Sequence, residues 1–240
     1  MRKYSLFIAF FSGLASCGIY RQNVVNAPLM QEKGQTQLSG HISFSGLEAQ
    51  AAYAATKSFV LLANYNNMGA RTDGDFATDK HIFKEIGAGL YTKNKKGKTE
   101  EIFLIVGNGM TSHALLKPDA TGRYQFQKVN YNRVVLQGDY GSRKRALEYA
   151  LSPRLLGIHY NKIIDNTRTD YKTLGNFHIY FEAGATLRYN FLEHFKLSAQ
   201  GCATIPFGRS GVGYNYYYDF SPFNFSIGLI YEMNVLRPFK

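Results

Sequence analysis

Between residues 223 and 235 every odd position is large and apolar: Phe223, Phe225, Ile227, Leu229, Tyr231, Met233 and Val235. Asn224, Ser226, Gly228, Glu232 and Asn234 lie between them, and Ile230 is the one exception. A period of two places apolar side chains on one face of a strand and polar or small ones on the other. Residues 177–191 repeat the pattern, with Phe177, Ile179, Phe181, Ala183, Ala185, Leu187, Tyr189 and Phe191 opposite His178, Glu182, Thr186, Arg188 and Asn190. So do residues 195–207, where Lys196, Ser198, Gln200, Cys202 and Thr204 face away from the apolar row. Weaker alternation marks further strands at 35–45, 47–55, 57–66, 81–93, 99–109, 132–141 and 145–161. No long stretch sustains a helical period. The pattern predicts an all-β chain of about ten antiparallel strands.

Connection lengths carry a second signal. Outer-membrane barrels have short periplasmic turns and longer outer loops. With a periplasmic N-terminus the second, fourth, sixth and eighth connections should be short, and these fall at 55–57, 94–98, 142–144 and 192–194. The third, fifth, seventh and ninth, at 67–80, 110–131, 162–174 and 208–221, should be long. The first, at Ser45 and Gly46, breaks the rule by being short. A soluble β-sandwich also alternates. Aromatic residues near strand ends (Phe177, Tyr189, Phe191, Phe195, Phe207, Phe223) favour the girdles of a membrane barrel, and mid-strand charges such as Glu48 and Glu85 on the opposite faces favour a polar lumen. The expected fold is an up-and-down transmembrane β-barrel over 35–240.

The start of the chain reads differently. Arg2 and Lys3 precede an apolar stretch at residues 5–16, too short to span a bilayer as a helix and built like a secretory leader. Leu14, Ala15, Ser16 and Cys17 look like a lipobox, in which the cysteine thiol accepts diacylglycerol. This predicts a signal peptide at 1–16, an acylated Cys17 and a lipidated tether at 17–34. Cys202 is then the only other cysteine, so an intramolecular disulfide is not expected. With 28 Lys and Arg against 17 Asp and Glu the net charge is +11, and loss of Arg2 and Lys3 leaves +9. In an exported chain that charge suits lipid A and other outer-membrane lipids rather than nucleic acid. It is equally explained as a solvated surface excess.

With these strands in place, the chain resembles a family of outer-membrane β-barrel lipoproteins of Bacteroidota type. The likeness begins at APLMQEKGQTQLSGHISFSGLEAQAAYAAT and continues through EIGAGLYTKN, NYNRVVLQGDYG, ALSPRLLGIHY and YFEAGATLRYNF. It implies a location and a fold, and it supplies no active-site residues.

Candidate chemistry is sparse. Arg133, Glu148, Arg154, Glu182 and Arg188 fall on the inner faces of three consecutive strands, as a structural plug of ion pairs or as a selectivity constriction for a small anionic solute. For an acyl hydrolase the least implausible set is His178, Glu182 and Ser198. The six histidines and Cys202 show no paired metal-ligand spacing, and neither metal nor cofactor is expected. Four tyrosines crowd the connection at 208–220, as in binding surfaces or membrane interfaces. The expected function is that of a small passive pore or a structural or surface protein, with a membrane acyl hydrolase or a soluble lipid-anchored β-barrel binding protein as alternatives.

Overall fold

The computed structural model describes residues 20–73, 77–94, 97–115, 126–143, 146–165, 177–207 and 222–236. The leader, Cys17 and the tyrosine-rich connection at 208–220 lie outside the described residues. Ten strands follow in chain order: β1 (Gln35–Ser43), β2 (Gly46–Ala54), β3 (Phe59–Asp73), β4 (Ala77–Lys93), β5 (Lys98–Leu115), β6 (Phe126–Arg143), β7 (Leu147–Asp165), β8 (Phe177–Asn190), β9 (Phe195–Phe207) and β10 (Phe223–Asn234). Each pairs antiparallel with the next, and β1 pairs with β10, so the sheet closes into a barrel. Closure gives every strand a hydrogen-bonding neighbour on both sides and leaves no sheet edge.

All ten strands expected from the alternation are present, and the last three agree to within one residue. β3 to β7 extend further than expected, mostly at the end carrying the long connections. There β3 and β4 keep pairing through Arg71↔Asp79, Thr72↔Thr78 and Asp73↔Ala77, so the third connection is not the long loop that residues 67–80 suggested. The reason lies on the outside of the barrel. Tyr65, Lys84, Asn108, Asn132 and His159 are outward, exposed and paired side by side across β3 to β7. Beyond this row the backbone ladder continues with exposed polar residues such as Asn67 and Lys80 on its outer side, although Val129, Tyr131 and Tyr160 stay buried inside, and the alternation fades from the sequence.

On the other side of that row the outer surface is hydrocarbon. Ile86, Leu104, Leu136, Leu151, Leu187, Leu197 and Leu229 are exposed large side chains on seven different strands. Aromatic rings bound the belt, with Tyr53, Phe59, Tyr149 and Tyr189 at the short-turn end and Phe177 and Phe207 at the other. Phe177 and Tyr189 lie at opposite ends of β8, twelve positions apart. At a rise of roughly 3.4 Å and a tilt of roughly 40° this spans about 30 Å. Placing a charge in the belt, as in Leu229→Arg, should cost about 2 to 4 kcal/mol. Asn132→Arg, in the outward polar row, should cost about 0 to 1 kcal/mol. Refolding titrations in lipid vesicles measure both, and equal tolerance would contradict a membrane-facing belt.

The inner faces are not uniformly polar, which corrects the expectation of a polar lumen. Val60, Leu62, Phe83, Phe103, Ile105, Val135, Leu156 and Ile158, from β3 to β7, point inward and pack with Met30 in one apolar cluster. A barrel of this size fills its interior with side chains. The alternation on β3 was weak because both of its faces carry apolar residues.

Candidate functional site

The tether expected at 17–34 is not a tether where it is described. From Tyr20 to Met30 the chain lies inside the barrel, with only Arg21 partly exposed. Its contacts move steadily down the wall. Gln22 donates to the Thr204 hydroxyl on β9, and Asn23 meets Arg133 on β6. Val25 bonds Gln200, four positions further along β9, and the Asn26 carbonyl accepts from Gln137. Leu29 meets Arg143 at the last position of β6. The segment therefore runs from the long-connection half of the lumen to the short-turn end, and there it turns through Gly34, at φ 83°, into β1.

An extended chain inside a barrel has no ladder partner, and its unpaired backbone groups would be costly to bury. Here the wall side chains supply the partners. The Val24 amide donates to both Glu48 carboxylate oxygens at 2.9 and 2.8 Å, and the Val24 carbonyl accepts from Gln50 at 2.8 Å. The Gln200 side-chain amide acts as a piece of strand: its oxygen accepts from the Val25 N–H at 3.0 Å and its nitrogen donates to the Val25 carbonyl at 2.8 Å. Arg188 donates to the carbonyls of Ala27 and Pro28. Glu101 takes the consecutive amides of Leu29 and Met30 at 2.9 and 2.7 Å. Leu29 has φ 54°, the only positive value at a non-glycine among the described residues, and this left-handed turn brings two successive N–H groups onto one carboxylate.

Small residues on the wall make the room. A side chain at Gly184 would meet Val25 at 2.8 Å, and one at Gly141 would meet Leu29 at 2.6 Å. Gly184→Leu should therefore loosen the inner segment near Val25, seen as faster amide exchange at residues 24–26, while leaving exchange of the barrel ladder unchanged. Unchanged protection at 24–26 would contradict the packing.

All five charges singled out from the sequence are buried and inward, but they form two groups. In the upper group Arg133 pairs with Glu85 at 2.5 Å and Arg154 with Glu182 at 3.3 Å, all nearly solvent-free. The inner segment completes it. The Asn23 carbonyl oxygen accepts from Arg133 and Arg154 at 2.7 and 3.3 Å, and its amide donates to Glu85 at 3.3 Å. Tyr20 donates to Glu182 at 2.8 Å, accepts from Arg133 at 2.5 Å and stacks on Tyr180. In the lower group, at the short-turn end, Glu148 lies 3.9 Å from Arg188, 2.8 Å from Lys196 and 3.1 Å from Arg143, and Glu232 bridges Arg143 and Lys196.

Glu85 was visible in the sequence as an inner charge, but only the closed register brings it to Arg133. Glu101 and Arg143 were missed, and Lys196 and Glu232, already on the inner parity of their strands, were not singled out as charge partners. Nothing in a strand pattern says that a second chain segment will lie against it. The hydrolase set does not assemble: Glu182 pairs in register with Thr204, whereas Ser198 is six positions down β9 beside Arg188, about 20 Å away along the strand. Among the described residues no group of three or more His, Cys, Asp and Glu is arranged to hold a metal ion.

No family model and no curated protein matches the chain. Among solved structures it is similar to the translocator domain of the autotransporter NalP from Neisseria meningitidis, at 12% identity and a TM-score of 0.48, covering 82% of this chain and 86% of that one. It is also similar to the KdgM porin in complex with disordered oligogalacturonate, at 9% identity and 0.35, covering 82% and 98%. The NanC porin follows at 13% and 0.31, covering 82% and 100%. The architecture rests on this chain's own hydrogen-bond register rather than on these likenesses.

Proposed function

We propose that the protein is an outer-membrane β-barrel lipoprotein, acylated at Cys17, whose lumen is sealed by its own N-terminal segment and which serves as a structural or surface protein rather than as an open pore. The observation that carries this reading is the run of hydrogen bonds from wall side chains to the backbone of Val24, Val25, Asn26, Ala27, Pro28, Leu29 and Met30 inside the barrel. A pore lining built for passing solutes leaves its polar groups to water, whereas these are spent on a fixed chain. The apolar outer belt supports the membrane, and the leader with its lipobox supports export and acylation. Short turns at the end where β1 begins support a periplasmic N-terminal strand, with the long connections outside. The positive charge of the mature chain suits lipid A as a neighbour.

Planar-bilayer recording of the refolded full mature chain tests the seal. No steady single-channel current is expected. A stable open conductance, with or without solute preference, would overturn the sealed reading and favour a passive pore.

A further inference from the structure

The direction of the inner segment fixes where its upstream end must leave the barrel. Tyr20 touches Arg133 and Glu182 and packs against Tyr131 and Tyr180. Arg133 is the inward neighbour of Asn132, which belongs to the outward polar row that ends the hydrocarbon belt on the long-connection side. Tyr20 is therefore already at the far edge of the belt. From Arg133 to the short-turn end at Arg143 there remain ten strand positions, about 25 Å along the axis for a strand tilted by roughly 40°. Cys17 lies only three residues upstream of Tyr20, a reach of about 11 Å even when fully extended.

We infer that the lumen is a conduit that delivers the chain upstream of Tyr20 to the long-connection face, so that the diacylglycerol on Cys17 enters the outer leaflet rather than the periplasmic one. This rests on the acylated, outward-loop reading proposed above. The ligand surface it defines is a lipid one. Acyl chains at Cys17 would insert beside the barrel at the height where Tyr65 and Phe177 ring its outside, and the barrel and the lipid would hold the inner segment from its two ends. A periplasmic anchor would instead need the segment to be withdrawn from the lumen, breaking its bonds to Glu48, Gln200 and Arg188.

The test is side-specific labelling of the full chain in intact cells with a membrane-impermeant maleimide. Cys202 is buried and Cys17 is consumed by acylation, so Ile19→Cys is a single probe for the upstream end and Lys93→Cys for the short-turn end. The expected result is labelling of Ile19→Cys on intact cells and of Lys93→Cys only after permeabilisation. Labelling of Ile19→Cys only after permeabilisation, or from neither side, overturns the inference. The mass of the mature N-terminus is read separately. If it carries no acyl group, the same labelling in a Cys17→Ser chain with an ordinary secretory leader still decides the direction of exit, so failure of the lipid reading and failure of the threading are distinguishable.

Discussion

Removing residues 20–28 from the mature chain is expected to convert a silent barrel into a conducting one. Those residues fill the axis of the lumen, and without them the wall groups that bonded their backbone face an open path: Glu48, Gln50, Gln137, Arg188 and Gln200. The path is polar on these side chains, so water enters instead of leaving them unpaired. Single-channel recording should show discrete openings absent from the full chain. Because arginines at positions 133, 154 and 188 and Lys196 line the vacated space against Glu85, Glu148 and Glu182, selectivity should depend on which group remains paired. Should the shortened barrel refold poorly, a second measurement keeps the matter decidable. A synthetic peptide of residues 20–31, added to whatever fraction inserts, should close the openings. A shortened barrel that folds and stays silent would mean that the β3 to β7 side chains alone occlude the lumen.

The second large effect is on stability. Glu182→Gln removes the charge facing Arg154 and weakens the bond that holds Tyr20. Both Arg154 and Glu182 are nearly solvent-free, so the loss leaves an uncompensated buried cation, at an expected cost of about 3 to 5 kcal/mol. The nearest other carboxylate, Glu85, is 4.0 Å from Arg154 and already engaged by Arg133. Removing both members, as in Arg154→Met with Glu182→Gln, should recover most of the loss, because no unpaired charge remains. Denaturant midpoints of the two variants in vesicles check this. A Glu182→Gln barrel as stable as the parent would show that water reaches the upper group, and the seal at that height would then be incomplete.

The shell of this protein was legible in its sequence. Closed sheets in a membrane require period-two alternation because each strand divides lipid from lumen, and residues 177–191, 195–207 and 223–235 display it most clearly, with Ile230 the exception in the last. The limits of β8, β9 and β10 followed to within a residue. Where both faces of a strand are apolar, as at Val60 and Leu62 on β3, or where the strand passes beyond the belt, as at 67–73, the alternation weakens and the boundaries blur. The inward direction of Arg133, Glu148, Arg154, Glu182 and Arg188 followed from the same parity.

Their partners did not. Which charges meet is set by register and closure, which bring Glu85 across to Arg133 and split the five into groups about 20 Å apart along β8. The occupant of the lumen was the larger surprise. Residues 22–30 have no period, because an extended chain that is buried on every side has no solvent face to alternate with, and side chains of the wall rather than a ladder hold its backbone at Val24, Val25, Ala27, Leu29 and Met30. A segment of that kind reads as a linker until the walls that surround it are known. The sequence alone therefore determined an antiparallel barrel of about ten strands and which side chains of its clearest strands face inward, and the structure set the count at ten. Only the tertiary structure decided that the barrel is full, since complementarity between one segment and ten strands exists nowhere in the order of residues along the chain.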